Sequence, residues 1–287
     1  DCSIQSNCLS VVPVETELGR KRLIDQSACN KDYSCLKGFC PSFITVTGGN
    51  LKKPAPNLDQ DNLTALPEPT LPDISQRPWN VVVTGIGGTG VLTVTALVAM
   101  AAHIEGKGCS TMNQTGLAQK FGSVVSHVRV GLNQQAINAV RIPAGDADLL
   151  LGCDLVVAAG DEAMAKVNVE RSFAIINATE SVTAEFINNP DTVFPASEMK
   201  QTINQEVGKD KVSFIDASAI ATNLLGDTIA SNLFLLGYAY QSSLIPVSAE
   251  AIEEAIALND VAIDFNRAAF NWGRRAKANL HEVNQIA

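Results

Sequence analysis

Trp79-Asn80-Val81-Val82-Val83-Thr84-Gly85-Ile86-Gly87-Gly88-Thr89-Gly90 is the stretch on which the fold turns. Three consecutive valines read as a strand buried on both faces. The glycines that follow allow a tight turn, and a long apolar helix then runs to about His103. A glycine-rich turn between a buried strand and a helix is the dinucleotide-binding pattern in its proper context. Gly85, Gly87, Gly88 and Gly90 are therefore the candidate ligand-binding residues, because glycine lets backbone approach a phosphate beside a helix N-terminus. An NAD site also needs an acidic residue at the end of the next strand. That stretch reads Cys109-Ser110-Thr111-Met112-Asn113-Gln114, with neither a carboxylate nor an arginine. Two readings stay open: a tight turn with close helix packing, and a site for a phosphate-bearing ligand other than NAD. NAD fits least well.

Downstream, strands are expected at 110–113, 124–130, 137–142, 155–159, 173–177 and 212–216. Helices are expected at 161–167, 196–206, 218–225, 228–241, 249–258 and 261–279. Pro246 and the N-cap candidate Ser248 mark the start of the helix at 249. Alternating strands and helices predict an α/β domain, Rossmann-like, on a mainly parallel sheet over residues 79–287. Cys109 and Cys153 sit in apolar surroundings and read as buried thiols without chemistry. His103 closes a helix and reads as structural. His127 alternates with Val128 and is expected to face a partner or a cleft. No Ser/His/Asp or Cys/His arrangement stands out, so no catalytic residue is assigned.

Upstream, residues 48–78 read as a linker. They hold Pro54, Pro56, Pro67, Pro69, Pro72 and Pro78, half of the chain's 12 prolines, and such a segment runs extended on a surface. Residues 1–47 carry Cys2, Cys8, Cys29, Cys35 and Cys40, with Pro41 directly after the last. A region this small buries little core, so a metal centre would have to organise it. Thiolates ligate iron–sulfur clusters, and a proline after the last cysteine recurs in ferredoxin-type sites. Zinc is the alternative, although paired C-x2-C knuckles are missing. No secretory signal is visible, which counts against disulfides. Five cysteines exceed the four that one cluster needs. A C-x2-C-x2-C run beginning upstream of Asp1 would make Cys2 its third ligand and leave room for a second cluster. Arg20, Lys21, Arg22, Lys31 and Lys37 could offset the cluster's charge or guide a partner.

The whole chain is 46% hydrophobic and 18% charged with a net charge of −9. That fits a globular protein and argues against a general nucleic-acid role. The longest apolar run, 91–104, is too short to span a bilayer.

Several stretches resemble a known family. Cys2-Ser-Ile-Gln-Ser-Asn-Cys8, Glu15-Thr-Glu-Leu-Gly-Arg-Lys-Arg22, Cys29-Asn-Lys-Asp-Tyr-Ser-Cys35 and Gly38-Phe-Cys-Pro-Ser-Phe43 resemble the iron–sulfur segment of the large fused indolepyruvate:ferredoxin oxidoreductases. Gly85–Gly90, the run Thr115-Gly-Leu-Ala-Gln-Lys-Phe-Gly-Ser-Val-Val-Ser-His-Val-Arg129 and the helical Ser231–Pro246 resemble the gamma domain of 2-oxoacid:ferredoxin oxidoreductases. Phe121 departs from the pattern, where a small residue is expected before Gly122. The resemblance implies an α/β gamma domain preceded by a small ferredoxin-like segment. It implies oxidative decarboxylation of 2-oxoacids, arylpyruvates in this branch, to acyl-CoA. Thiamine diphosphate would do the carbon chemistry in domains that precede this stretch, because no thiamine motif occurs here. Electrons would leave through a [4Fe–4S] cluster to ferredoxin, and the glycine loop is the candidate for the phosphates of CoA. The expected setting is the cytoplasm, in a homo-oligomer. The rival readings are a Rossmann-type NAD(P) oxidoreductase with an attached cluster and a zinc-binding interaction module.

Overall fold

The computed structural model describes residues 10–26, 29, 33, 47–49, 56, 66–116, 122–181, 189 and 192–287. The chain divides into two compact units, 1–53 with 180–195, and 54–179 with 196–287. In the smaller unit β1 (Val11–Thr16) and β2 (Gly19–Ile24) form an antiparallel hairpin. Its turn is closed by the Thr16 hydroxyl, which donates to Gly19 O and accepts from Leu18 N. Gly19 sits at φ 85°, left-handed backbone that side chains disfavour. The basic run Arg20-Lys21-Arg22 lies in β2, with Arg20 opposite Glu15 and paired to it.

The larger unit is built on a six-stranded sheet. Its strands are β3 (Trp79–Ile86), β4 (Gly108–Thr115), β5 (Ser123–Gly131), β6 (Leu149–Gly152), β7 (Phe173–Asn177) and β8 (Val212–Ile215). The spatial order is β4-β5-β3-β6-β7-β8. β3, β6, β7 and β8 run parallel, and β5 is antiparallel to both β3 and β4. The sheet is thus mostly parallel, as expected, with β5 wedged between β3 and the strand that follows it in sequence. α1 (Val91–Ile104) carries the chain from β3 to β4. Alternation sends Val81 and Val83 into the core that contains α1, and Val82 to the other face. α2 (Leu155–Ala158), α3 (Asp161–Met164) and α4 (Ala196–Val207) link β6, β7 and β8.

The helical C-terminal third is α5 (Ala217–Leu225), α6 (Ser231–Gln241), α7 (Ala249–Asn259), α8 (Ile263–Ala278) and α9 (Leu280–Ile286). Side chains cap several N-termini: Asp216 accepts from Ala219 N, and Ser248 accepts from Ala251 N, as its position predicts. Residues Ser231 to Tyr240 of α6 are all buried. α6 crosses α8 at two glycines: a Cβ on Gly237 would lie 1.9 Å from Phe270 O, and one on Gly273 would lie 1.8 Å from Phe234 O.

Two expected strands are absent. Residues 155–159 are not a strand: Asp154 caps Val157 N and starts a helical turn, and the strand is the preceding Leu149–Gly152. Residues 137–142 pair with no strand, because their backbone is held by side chains: Arg129 Nη1 donates to Ala139 O, and Ile142 N donates to His127 Nδ1. The helix expected at 261–279 is α8, and it ends at Asn279, whose side chain caps the further helix α9. The described end of the proline-rich stretch lies against the larger unit. Tyr240 Oη donates to Glu68 at 2.7 Å, Arg274 donates to the same carboxylate at 2.6 Å, and Gln241 donates to Pro67 O. Ile74 is buried. Among the described residues, no helix is long and apolar enough to cross a membrane.

Candidate functional site

Open α/β sheets bind ligands at the carboxyl ends of parallel strands, where the chain changes direction across the sheet. Here that point lies between β3 and β6. From β3 the chain leaves through α1 toward one edge, and from β6 it proceeds strand by strand to the other. The glycine turn Gly85–Gly90 stands at this position.

Each glycine has a distinct reason to be there. A Cβ on Gly85 would lie 2.6 Å from Val91 Cγ2 and 3.1 Å from Cys153 Cβ, so this residue packs the turn between α1 and β6. Gly87 N donates to Gly122 O at 2.8 Å, which ties the turn to the start of β5. Gly88 and Gly90 adopt φ 87° and 94°, which side chains rarely tolerate. Asn232 of α6 donates to Thr89 O at 2.8 Å and fixes the turn from below. Among the described residues nothing accepts from the N–H groups of Gly88 and Gly90. With the first N–H groups of the 14-residue α1, they make a donor surface suited to a phosphate.

The strand that follows α1 is not the neighbour of β3, so its end is not where the acidic residue of an NAD site would stand. β4 does not adjoin β3; the parallel neighbour is β6, which leads into Asp154. Asp154 is 5% exposed, and its carboxylate caps α2. At the next strand end the Asn177 carboxamide binds groups of four residues. It donates to Ser218 Oγ and Cys153 O, and it accepts from Ala217 N and the Thr179 hydroxyl. It pins β6, β7 and α5 together and leaves no spare donor for chemistry.

The other candidates are inert or elsewhere. Burial pushes the Cys109 thiol up to about 11 and the Cys153 thiol up to about 12, so both stay protonated at neutral pH. His127 does not face a partner or a cleft. It is 0% exposed, its Nδ1 accepts from Ile142 N, and its Nε2 lies 3.0 Å from Gln114 Oε1. Nδ1 is thereby the acceptor, and the proton sits on Nε2. Burial, with the charges of Lys166 and Arg141, lowers its pKa to about 4. Because the folded value lies below the ordinary 6.5, protonation favours the unfolded chain. His127 therefore supports the fold fully above pH 6.5, and its support is lost as pH falls toward about 4. Its imidazole 15N resonances should stay in the neutral Nε2–H pattern from pH 8 down to pH 5.5; a midpoint near 6.5 would contradict this placement.

Of the five cluster candidates, Cys2, Cys8, Cys35 and Cys40 lie outside the described residues, as does Phe121. Cys29 is half-buried in the smaller unit. Among the described residues no three His, Cys, Asp or Glu side chains converge as a metal site.

Comparison with known proteins agrees with this architecture. Residues 80–276 match the family described as pyruvate ferredoxin/flavodoxin oxidoreductase. The chain is similar to the indolepyruvate oxidoreductase subunit IorB of Pyrococcus horikoshii, 29% identical over 203 residues, 70% of this chain and 96% of that one. It is 30% identical over 200 residues to the Archaeoglobus fulgidus subunit of the same name, 68% of this chain and 92% of that one. Among solved structures it resembles the pyruvate oxidoreductase subunit PORC of Thermotoga maritima, with a TM-score of 0.50 and 19% identity, covering 69% of this chain and 96% of that one. A 2-oxoglutarate:ferredoxin oxidoreductase from Magnetococcus marinus gives a TM-score of 0.50 at 16% identity, over 70% of this chain and 31% of that one. The chain belongs to the pyruvate ferredoxin/flavodoxin oxidoreductase family, and residues 80–276 form its family domain.

Proposed function

We propose that the chain is the iron–sulfur segment and gamma domain of a fused indolepyruvate-type 2-oxoacid:ferredoxin oxidoreductase. The observation that carries this reading is the family domain at 80–276, similar to indolepyruvate oxidoreductase subunits, preceded by a segment with five cysteines. The reaction is oxidative decarboxylation of an arylpyruvate to an acyl-CoA, with electrons passing to ferredoxin. Thiamine diphosphate, held by other domains of the enzyme, supplies the electron sink for decarboxylation. Cys2, Cys8, Cys29, Cys35 and Cys40 are the thiolates available to a [4Fe–4S] cluster, a donor set that suits iron–sulfur chemistry. The gamma domain binds and positions. Its glycine turn offers the N–H groups of Gly88 and Gly90 to the phosphates of CoA, and Gly87 keeps that turn against Gly122. The Cys109 and Cys153 thiols are protonated and His127 is sealed in the sheet, so none of the three serves as nucleophile or base. Alone, the 287-residue chain turns over no substrate.

Two measurements test the parts separately. Anaerobically purified protein should be brown, with iron and sulfide in equal amounts; zinc without colour would overturn the cluster assignment. In the complete enzyme, Gly87→Asp places a carboxylate in the turn and should raise the apparent KM for CoA by about tenfold or more, as expected for an opposed charge. An unchanged KM would remove CoA from the glycine turn.

A further inference from the structure

Asn232, in the first turn of α6, is 3% exposed and stands directly before the apolar run Leu233-Phe234-Leu235-Leu236. A carboxamide buried there costs free energy unless it is hydrogen-bonded. Its Nδ2 donates to Thr89 O at 2.8 Å. The fit is close: a Cβ on Gly90 would lie 3.7 Å from the same nitrogen.

In a trans peptide the carbonyl and the next N–H point in opposite directions. Two peptides of the glycine turn show what this does. The Ile86 carbonyl accepts from the Thr89 hydroxyl at 2.7 Å, so the Gly87 N–H points away from Thr89, where it donates to Gly122 O at 2.8 Å. That peptide is engaged at both ends. The Thr89 carbonyl turns toward Asn232, so the Gly90 N–H points away from α6. This second peptide is held at its carbonyl end, and among the described residues nothing accepts from Gly90 N. The Gly90 carbonyl accepts from Thr93 N and Val94 N, which places its N–H beside the first-turn N–H groups of α1 that have no partner within the helix.

We propose that Asn232 is a positioning residue of the glycine turn: by holding the Thr89 carbonyl it aims the Gly90 N–H at the phosphate that the turn receives. The inference rests on the reading of that turn as the site of the CoA phosphates. Asn232 acts through the backbone and does not touch the phosphate. Without its hydrogen bond the Thr89–Gly90 peptide can rotate, and a glycine on one side offers little resistance. A flipped peptide would set a carbonyl oxygen where the N–H had been, an acceptor facing an anion. Holding the peptide in the empty protein spares the ligand that ordering cost.

Calorimetric titration of the complete enzyme with CoA, without 2-oxoacid, tests this. Asn232→Leu keeps the size of the side chain and removes the donor. The Kd for CoA should rise about tenfold, the loss expected for one hydrogen bond to a charged group. In turnover the KM for CoA should rise with it, while kcat at saturating CoA and the KM for the 2-oxoacid stay at their parent values. Asn232→Ala, a smaller truncation, gives the same reading if Asn232→Leu fails to fold. Parent-like CoA binding in a folded Asn232 variant, with binding weakened in Gly87→Asp, would overturn the role of Asn232 alone. Parent-like binding in Gly87→Asp would instead remove CoA from the turn, and the inference with it. A fall in kcat and in 2-oxoacid affinity alongside CoA affinity would mark a purely structural residue and would also overturn the proposal.

Discussion

Gly273→Ala is expected to destabilise the larger unit by about 3 kcal/mol or more, at the upper end of overpacking costs. In a helix interior alanine is favoured over glycine by roughly 1 kcal/mol, so propensity alone predicts the opposite sign. Geometry decides. The added Cβ would sit 1.8 Å from Phe234 O and 2.9 Å from Tyr238 N, both backbone atoms of α6. Neither atom can yield by changing a rotamer, so α6 and α8 must move apart. That separation would open the contacts of Phe234, Phe270 and Trp272, which are all buried. Gly237→Ala meets Phe270 O from the other side and should behave alike. Urea unfolding followed by far- and near-ultraviolet circular dichroism reads the loss. A Gly273→Ala variant at least as stable as the parent would mean that the two helices do not cross at these glycines.

Asp148→Ala should cost about 3–5 kcal/mol, the range for removing one partner of a buried ion pair. Asp148 is 1% exposed at the start of β6. Its carboxylate accepts from Arg77 at 2.6 and 2.9 Å, from Arg171 at 2.8 Å and from Asn80 N at 2.8 Å. Asn80 in turn binds Asp146 and accepts from Arg129. The network fixes β3 against β6 at the end of the sheet away from the glycine turn. Truncation leaves Arg77, Arg171 and Asn80 N without their shared acceptor. Burial by itself would raise the Asp148 pKa, but the hydrogen bonds from Arg77, Arg171 and Asn80 N outweigh it and hold the group below the ordinary 3.8. The sign follows: this stabilisation is full above pH 3.8 and is lost as pH falls through the lower folded value. The stability gap between parent and variant should narrow as the solution is acidified below pH 4. A gap under about 1 kcal/mol at pH 7, or one independent of pH, would contradict the network's role.

The sequence carried the centre of the fold because β3 and the glycine turn are local signals. A valine run buried on both faces has few alternatives, and a βα turn with left-handed positions needs glycine. The wedge of β5 between β3 and β4 was not legible, since strand order depends on contacts between residues far apart. The parallel neighbour of β3 therefore leads to Asp154 and not to the stretch that ends at Gln114. Residues 155–159 misled because Leu155-Val156-Val157 is apolar and β-branched; the N-cap signal of Asp154 was present and outweighs it. His127 was placed on the correct alternating face, but what covers that face is the irregular segment 137–142, read as a strand. The hydrogen bonds that Glu68 accepts from Tyr240 and Arg274, more than 150 residues downstream, and the burial of Ile74 are likewise invisible to local pattern.

The most direct test of the proposed identity is ferredoxin reduction by the complete, anaerobically purified enzyme, with indolepyruvate and CoA supplied together. The account predicts reduction that requires both, release of carbon dioxide and an acyl-CoA, and loss of electron transfer to ferredoxin when Cys40 is replaced by alanine. Reduction that proceeds without CoA, or full electron transfer in Cys40→Ala with no cluster in the segment 1–47, would contradict it.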